Sequence, residues 1–302
     1  MVKNIHIFGI TTASGKAFAS KLKKHFNDLN IFGYSRSSSS YIKFDLKKPN
    51  IYSLNNPLDS SILISFGPIW HLSKFLKYNL QNNPNEFGKI LGVIATSSTS
   101  VLTKRFAFNK FDKNLTCKLR EAEKTLIEIF KDKQSNLKII RPTMIYDDFK
   151  NKSDQNINEI IEIISFLPFI LFPCSSGKRQ PIHAIQLANV ASKFVEDIIF
   201  RKISNESDIF LNVGGDEEIS YLEVIKRIQF NLPKNHRGKK CKIIEIPNRL
   251  FNFLISPLIL MNQKSFESFL RISANLSGFV PSCKIINSKP ISFPYKTNDL
   301  NS

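Results

Sequence analysis

The chain has 302 residues, 42% of them hydrophobic and 23% charged, which excludes a disordered or fibrous protein and suits two lobes or one enlarged α/β unit. Lys and Arg number 43 against 25 Asp and Glu, a net charge of +18. Only ten of those cations are Arg, the Lys are scattered singly and in pairs, and the tightest basic cluster runs from Arg237 to Lys240, so no nucleic-acid partner is expected.

Val2 to Phe8 alternates apolar and polar residues and ends in Gly9, a strand rather than a cleaved signal segment. Strands are predicted at 5–8, 31–34, 41–44, 62–66, 90–95 and 137–140, with helical periodicity at 16–26 and 115–130. In the second helix Leu115, Leu119, Ala122, Leu126 and Ile129 form one apolar stripe, while Glu121, Glu123, Lys124 and Glu128 fall elsewhere on the wheel. Strands alternating with helices predict βαβ units and a parallel sheet. Beyond Arg141-Pro142 the pattern loosens into a polar stretch at 147–158, an apolar segment at 159–173 and a Ser/Gly loop at 174–178. A helix at 187–200, a strand at 210–213 and a helix at 221–229 follow.

Four well-separated cysteines, Cys117, Cys174, Cys241 and Cys283, have no metal-ligand spacing, so no metal is expected and the thiols read as reduced in a cytoplasmic protein. The two most apolar stretches, 160–172 and 250–261, each contain a Pro and fall short of the roughly 20 residues that span a bilayer. Lobe packing is their simplest reading. Peripheral contact with an anionic membrane through Lys-rich flanks is the alternative.

The first chemical motif is Gly9-Ile10-Thr11-Thr12-Ala13-Ser14-Gly15, between a strand and a helix. A turn of this kind brings the amides of Thr11, Thr12 and Ser14 to a pyrophosphate at the positive helix end. Gly9 and Gly15 hold the outer places of a G-x-x-G-x-x-G spacing and Thr12 the middle one. A P-loop is excluded, because five residues separate the glycines and Ala17 replaces the metal-binding hydroxyl residue. Strand two ends in Ser35-Arg36, where dinucleotide folds meet the adenosine ribose. An acid there favours NAD, whereas Arg36 suits a 2′-phosphate, so NADP is the expected cofactor, with NAD the alternative. Asp45 and Leu46, after the short third strand, are placed to meet the adenine ring.

This ordered set, with Ala95-Thr96-Ser97-Ser98-Thr99, Arg141-Pro142-Thr143-Met144-Ile145-Tyr146, Gln180-Pro181-Ile182-His183 and Asn212-Val213-Gly214-Gly215, resembles the extended short-chain dehydrogenases/reductases, in particular the NAD-dependent epimerase/dehydratase type acting on nucleoside-diphosphate sugars. The resemblance runs nearly the whole length, to Leu276-Ser277-Gly278-Phe279 and Lys289-Pro290. It implies a Rossmann-type doubly wound sheet with a smaller interleaved C-terminal substrate lobe: a cofactor core at 1–150 and a substrate lobe at 151–302, with roughly 183–215 returning to the core. It implies Ser98 as the group that polarises substrate, with Thr99 beside it, Tyr146 on the pocket wall and Arg179 on the substrate diphosphate, while His183 has a structural role. A homodimer is compatible with it.

The family's Tyr-x-x-x-Lys pair departs. Lys118 and Lys124 are the candidates for its Lys, preceded at the Tyr place by Asn114 and Arg120. The wheel puts Lys118 at the border of the apolar stripe and Lys124 on the opposite face, so Lys118 is the expected catalytic and ribose-binding Lys. Asn114 has no proton to give at a useful pKa. The expected function is an NAD(P)-dependent epimerase-, reductase- or dehydratase-like protein on a nucleotide sugar, or else a non-catalytic sensor or scaffold of the same fold.

Overall fold

The computed structural model describes residues 2–26, 28–57, 59–131, 136–148, 155–200 and 209–295. The first elements are β1 (Asn4–Phe8), α1 (Ala13–His25), β2 (Asn30–Ser35), β3 (Ile42–Lys43), β4 (Ser61–Ser65), α2 (Ile69–Asn82), α3 (Pro84–Gly88), β5 (Ile90–Thr96) and α4 (Ser100–Thr103). Next come α5 (Lys110–Ile129), β6 (Leu137–Pro142), β7 (Ile145–Tyr146), α6 (Gln155–Phe166), β8 (Phe169–Pro173), β9 (Lys178–Arg179), β10 (Ile182–His183), α7 (Ala184–Ile199) and β11 (Phe210–Gly214). The last are β12 (Ile219–Ser220), α8 (Tyr221–Asn231), a 3₁₀ turn at Arg237–Lys240, β13 (Lys242–Ile246), α9 (Asn248–Ile255), α10 (Leu258–Met261), α11 (Gln263–Leu270), β14 (Val280–Pro281) and α12 (Ser282–Ile286).

Two compact units share the chain. The first holds Met1–Val101, Thr116–Pro142 and Ala184–Val213; the second holds Leu102–Leu115, Thr143–His183 and Gly214–Ser302. In the first unit seven parallel strands lie in the order β3-β2-β1-β4-β5-β6-β11. That is the expected doubly wound sheet. β1, β4 and most of β5 are buried, as strands covered on both faces must be, and largely apolar, with Asn4, His6, Ser61 and Ser65 the buried polar exceptions on β1 and β4. α1 and α7 pack together, with Phe18 and Leu22 of one and Leu187 and Ala191 of the other buried. The strand order reverses between β1 and β4, the switch point at which open α/β sheets form a crevice.

In the second unit β8 pairs with β13, β7 with β10 and β9 with β12, and α6 packs on α8 and the 3₁₀ turn. The apolar stretch at 159–173 is two elements, because Pro168 ends α6 and the chain restarts as β8. The stretch at 250–261 likewise breaks at Pro257 into α9 and α10. Lobe packing accounts for its Phe251 and Ile255, which are buried, and not for Phe253, Leu260 and Met261, which face solvent.

Candidate cofactor and substrate site

The turn after β1 is built by close backbone approach. Gly9 has a φ of 72°, and a Cβ there would lie 2.8 Å from the Gly67 amide nitrogen. A Cβ on Gly15 would meet the Gly9 carbonyl oxygen at 2.3 Å and Ile10 Cα at 2.8 Å. Between them Thr12 is the N-cap of α1. Its hydroxyl donates to the Gly9 carbonyl at 2.8 Å and accepts from the Gly15 N–H at 3.1 Å. The residue in the middle glycine place therefore folds back to tie the turn, and the first-turn amides of Ala13 and Ser14 have no carbonyl one turn earlier to bond.

This turn opens onto a cleft of about 320 Å³ at the carboxyl ends of β1, β2 and β4. Six of the sequence-predicted residues line it: Gly9, Thr11, Thr12, Arg36, Asp45 and Leu46. Gly15 lies directly behind Gly9, and Ser14 is buried in α1. Phe8, Tyr34, Ser35, Phe44, Lys47, Gly67, Pro68 and His71 complete the lining, and of these Lys47 and His71 have no signal of their own in the sequence. His71 escaped because the α2 helix that carries it was not predicted. Its nearest signal is the Gly67-Pro68 pair closing β4, which breaks the strand and starts a helix one residue later.

An aromatic cluster forms the cleft floor. Phe8 stacks on Tyr34 with ring centroids 5.1 Å apart, and Phe44 packs edge-on to Phe8 at 5.2 Å. Below it His6 is buried, with Nδ1 2.9 Å from the Tyr34 hydroxyl and Nε2 3.2 Å from Ser61 Oγ. Ser61 donates its own proton to the Asp59 carbonyl, so Ser61 accepts from His6 Nε2–H and His6 Nδ1 accepts from Tyr34. Burial pushes His6 down to about 4 and Tyr34 up to about 12, which keeps both neutral.

The rim of the cleft is cationic. Arg36 and Lys47 are exposed on it. Burial lowers the His71 pKa, and the charges of Lys47, Lys74 and Arg36 push it the same way against the pull of Asp45. Asp45 accepts from the Lys47 N–H at 3.0 Å, which orders the loop after β3.

At the end of β5 three hydroxyls have different fates. Ser97 donates to Glu123 at 2.6 Å, and Thr99 donates to the Pro142 carbonyl at 3.1 Å. Ser98 bonds only within its own turn, donating to Ser100 Oγ at 3.0 Å and accepting the Ser100 N–H. Glu123 was read as lying off the buried stripe of its helix; it is 3% exposed and paired with Arg141. It sits at the edge of that stripe, where an acid is buried only because its partner arrives from β6.

Lys118 and Asn114 are both exposed on α5. The side chains that α5 buries include Thr116, Leu119, Ala122, Glu123 and Leu126. Neither a Tyr nor a Lys is among the buried residues of α5.

In the second unit Tyr146 is buried with its ring against His183 and Phe293, and its hydroxyl accepts the Tyr295 N–H at 2.9 Å. Burial raises its pKa. Arg179 is 8% exposed; its guanidinium donates to the carbonyls of Lys178 (2.8 Å), Ala274 (2.6 Å) and Arg271, and lies 4.6 Å over the Tyr221 ring. Burial lowers its pKa. In this arrangement Arg179 ties its own strand to the turn at 271–274. Gln180 does similar work, joining the Gly215 carbonyl to both polar groups of Phe279. Among the described residues no cluster of His, Cys, Asp and Glu is arranged to hold a metal.

No family model matches the chain, and no curated protein matches it. Solved structures do. MoeE5 in complex with UDP-glucose and NAD superposes with a TM-score of 0.60 at 12% identity, covering 96% of this chain and 94% of that one. UDP-glucuronic acid 4-epimerase from Bacillus cereus, with NAD, gives 0.59 at 14% identity over 80% and 86%. The GDP-mannoheptose C4 reductase from Campylobacter jejuni, with NADP bound, gives 0.57 at 14% identity over 82% and 87%. Such identities speak for architecture, and they agree with the strand order: this protein has the Rossmann-type fold of the extended short-chain dehydrogenases/reductases.

Proposed function

We propose that this protein binds NADP(H) in the cleft of its first unit and acts on a nucleoside-diphosphate sugar as an NAD(P)-dependent epimerase-, reductase- or dehydratase-like protein. The observation that carries the reading is the cleft itself. A turn too tight for any Cβ at Gly9 or Gly15 opens onto an aromatic floor and a rim bearing Arg36 and Lys47. The fit to a dinucleotide is good: the turn offers amides at a helix N-terminus to a pyrophosphate, Asp45 and Leu46 border the place for the base, and Arg36 supplies a planar cation for a 2′-phosphate. The solved structures of the same fold include proteins with NADP, with NAD and with UDP-glucose bound.

When bound, the dinucleotide supplies the hydride donor or acceptor. The chain's own residues then have limited tasks. Thr12 and Gly15 hold the turn, Arg36 holds the ribose end, and Ser98, whose hydroxyl is committed only to its own turn, is the one of the three β5 hydroxyls left to polarise a substrate oxygen. Lys118 reaches solvent from α5 and is the remaining candidate to meet the nicotinamide ribose.

A second reading is a binding protein that senses the same ligands without hydride transfer. It is favoured by α5, whose Asn114 and Lys118 are both exposed and which buries neither a Tyr nor a Lys. Titration of the full chain with NADP and NAD, followed by single-turnover absorbance at the reduced-nicotinamide band with UDP-, GDP- and dTDP-sugars, tests both. NADP binding with turnover supports the enzyme; NADP binding with no hydride transfer to any sugar supports the sensor; no saturable dinucleotide binding sinks both.

A further inference from the structure

The second unit presents an apolar surface that its own packing leaves open. On α9, Phe251 and Ile255 point inward while Leu250, Phe253 and Leu254, one helical face, point to solvent. After Pro257 the short α10 carries Leu260 at 90% exposure and Met261 at 81%; Phe253 is 73% exposed and Phe106, on the neighbouring segment 102–115, 84%. Single exposed hydrophobics are ordinary, but a contiguous group of this size marks a contact surface.

Segment 102–115 is joined to these helices through α11. Glu267 accepts the N–H groups of Phe108 at 3.0 Å and Asn109 at 2.6 Å. Asp112, fully buried, is clasped by Lys104 at 2.8 Å and Arg271 at 3.0 Å. Lys264 lies 4.1 Å over the Phe111 ring. α11 in turn packs on α9 and α10, with Phe251 and Phe269 rings 6.2 Å apart.

Charge identifies the partner. Residues 102–115 and 247–275 contain seven Lys and Arg against two acids, Asp112 and Glu267. Both acids are buried in the join to α11. What these segments expose is therefore apolar and cationic: Arg105, Lys110, Arg249 and Lys264 together with Phe106, Phe253, Leu260 and Met261. We propose that this face, built from α9, α10, α11 and segment 102–115, seats the protein on an anionic lipid bilayer, with the α9–α10 corner entering the headgroup region. A second copy of the chain would set like charges against each other, and a polyanion such as nucleic acid would leave the apolar corner in water. Among the described residues no helix is long and apolar enough to cross a membrane, so the contact is interfacial.

Flotation of the full chain with vesicles tests it. At about 0.1 M salt the protein is expected to float with phosphatidylcholine vesicles containing phosphatidylglycerol and to remain behind with pure phosphatidylcholine. Leu260→Ser with Met261→Ser is expected to weaken partitioning at least about tenfold, since both side chains give up their apolar burial. Circular dichroism and NADP binding of this variant should equal the parent's, because neither residue is buried. Leu260→Trp should give a blue-shifted emission only with anionic vesicles. No flotation with anionic vesicles, equal flotation with neutral ones, or unweakened binding by the double Ser variant would overturn the proposal. So would a dimer in solution that the double Ser variant converts to monomer.

Discussion

Arg141 and Glu123 face each other across the first unit as a two-pronged ion pair, Nε to Oε1 at 2.8 Å and the second guanidinium nitrogen to Oε2 at 2.6 Å. Both side chains are nearly out of solvent, and Ser97 adds a third donor to Glu123. The pair joins the end of β6 to the middle of α5 and orders the hydroxyl run after β5.

Removing one partner leaves the other charge buried. Glu123→Ala or Arg141→Ala is expected to cost about 3–5 kcal/mol in urea unfolding. The double variant should cost less than the two single losses combined. A single-variant loss below about 1 kcal/mol would show the pair to be solvated.

Gly15 and Gly67 make a controlled comparison. An Ala Cβ at 15 would run into backbone at 2.3 Å and 2.8 Å, so Gly15→Ala is expected to lose about 1–3 kcal/mol of stability and saturable NADP binding together. At Gly67 the nearest atom is the Ser65 hydroxyl at 3.8 Å. Gly67→Ala should change the melting free energy by less than about 0.5 kcal/mol while lowering dinucleotide affinity, because the new methyl enters the cleft.

Arg36→Ala should weaken NADP binding by at least about tenfold and leave NAD binding nearly unchanged, as expected for a charged hydrogen bond to the 2′-phosphate. His71 lines the same cleft, and its pKa is lowered by burial and by neighbouring cations. A phosphate dianion beside it would draw a proton onto the ring, so NADP affinity should rise as the pH falls from about 8 to about 6. Calorimetric titration of His71→Asn across that range should flatten the excess pH dependence of NADP over NAD. An unchanged profile would place the phosphate elsewhere.

Acid should destabilise the fold through two histidines. Burial holds His6 and His183 at about 4 in the native state against an ordinary 6.5. The unfolded chain therefore binds protons between about pH 6.5 and pH 4 that the native chain refuses. Their contribution to stability is complete above pH 6.5 and is lost as the pH falls toward 4, on the order of 3 kcal/mol for each. His6→Gln should remove part of that slope in urea unfolding followed against pH.

The resemblance carried by Gly9, Gly15, Arg36, Asp45, Tyr146 and His183 was legible along the chain because such motifs are local. A strand, a turn and a helix N-terminus need only neighbouring residues, and six of the cleft residues follow from that. His71 was not legible, since nothing local says that the residue after Gly67-Pro68-Ile69-Trp70 turns back toward Arg36. The resemblance implies Arg179 on a substrate diphosphate; three carbonyls from residues 178, 271 and 274 engage its guanidinium, and two of them come from far along the chain.

The charge divides in the same way. The amino-acid sequence alone determined that this is an α/β chain of parallel strands with a glycine turn at its first crossover, and that it carries +18. Only the tertiary structure decided which acids count at the surface: Glu123, Asp112 and Glu267 are drawn inside by partners distant in sequence, and the cations and apolar side chains around α9 and α10 are left facing out. Burial of a charge depends on its whole set of partners meeting it in space: Lys104 lies close to Asp112 in sequence, but Arg271, which completes its clasp, comes from a distant helix.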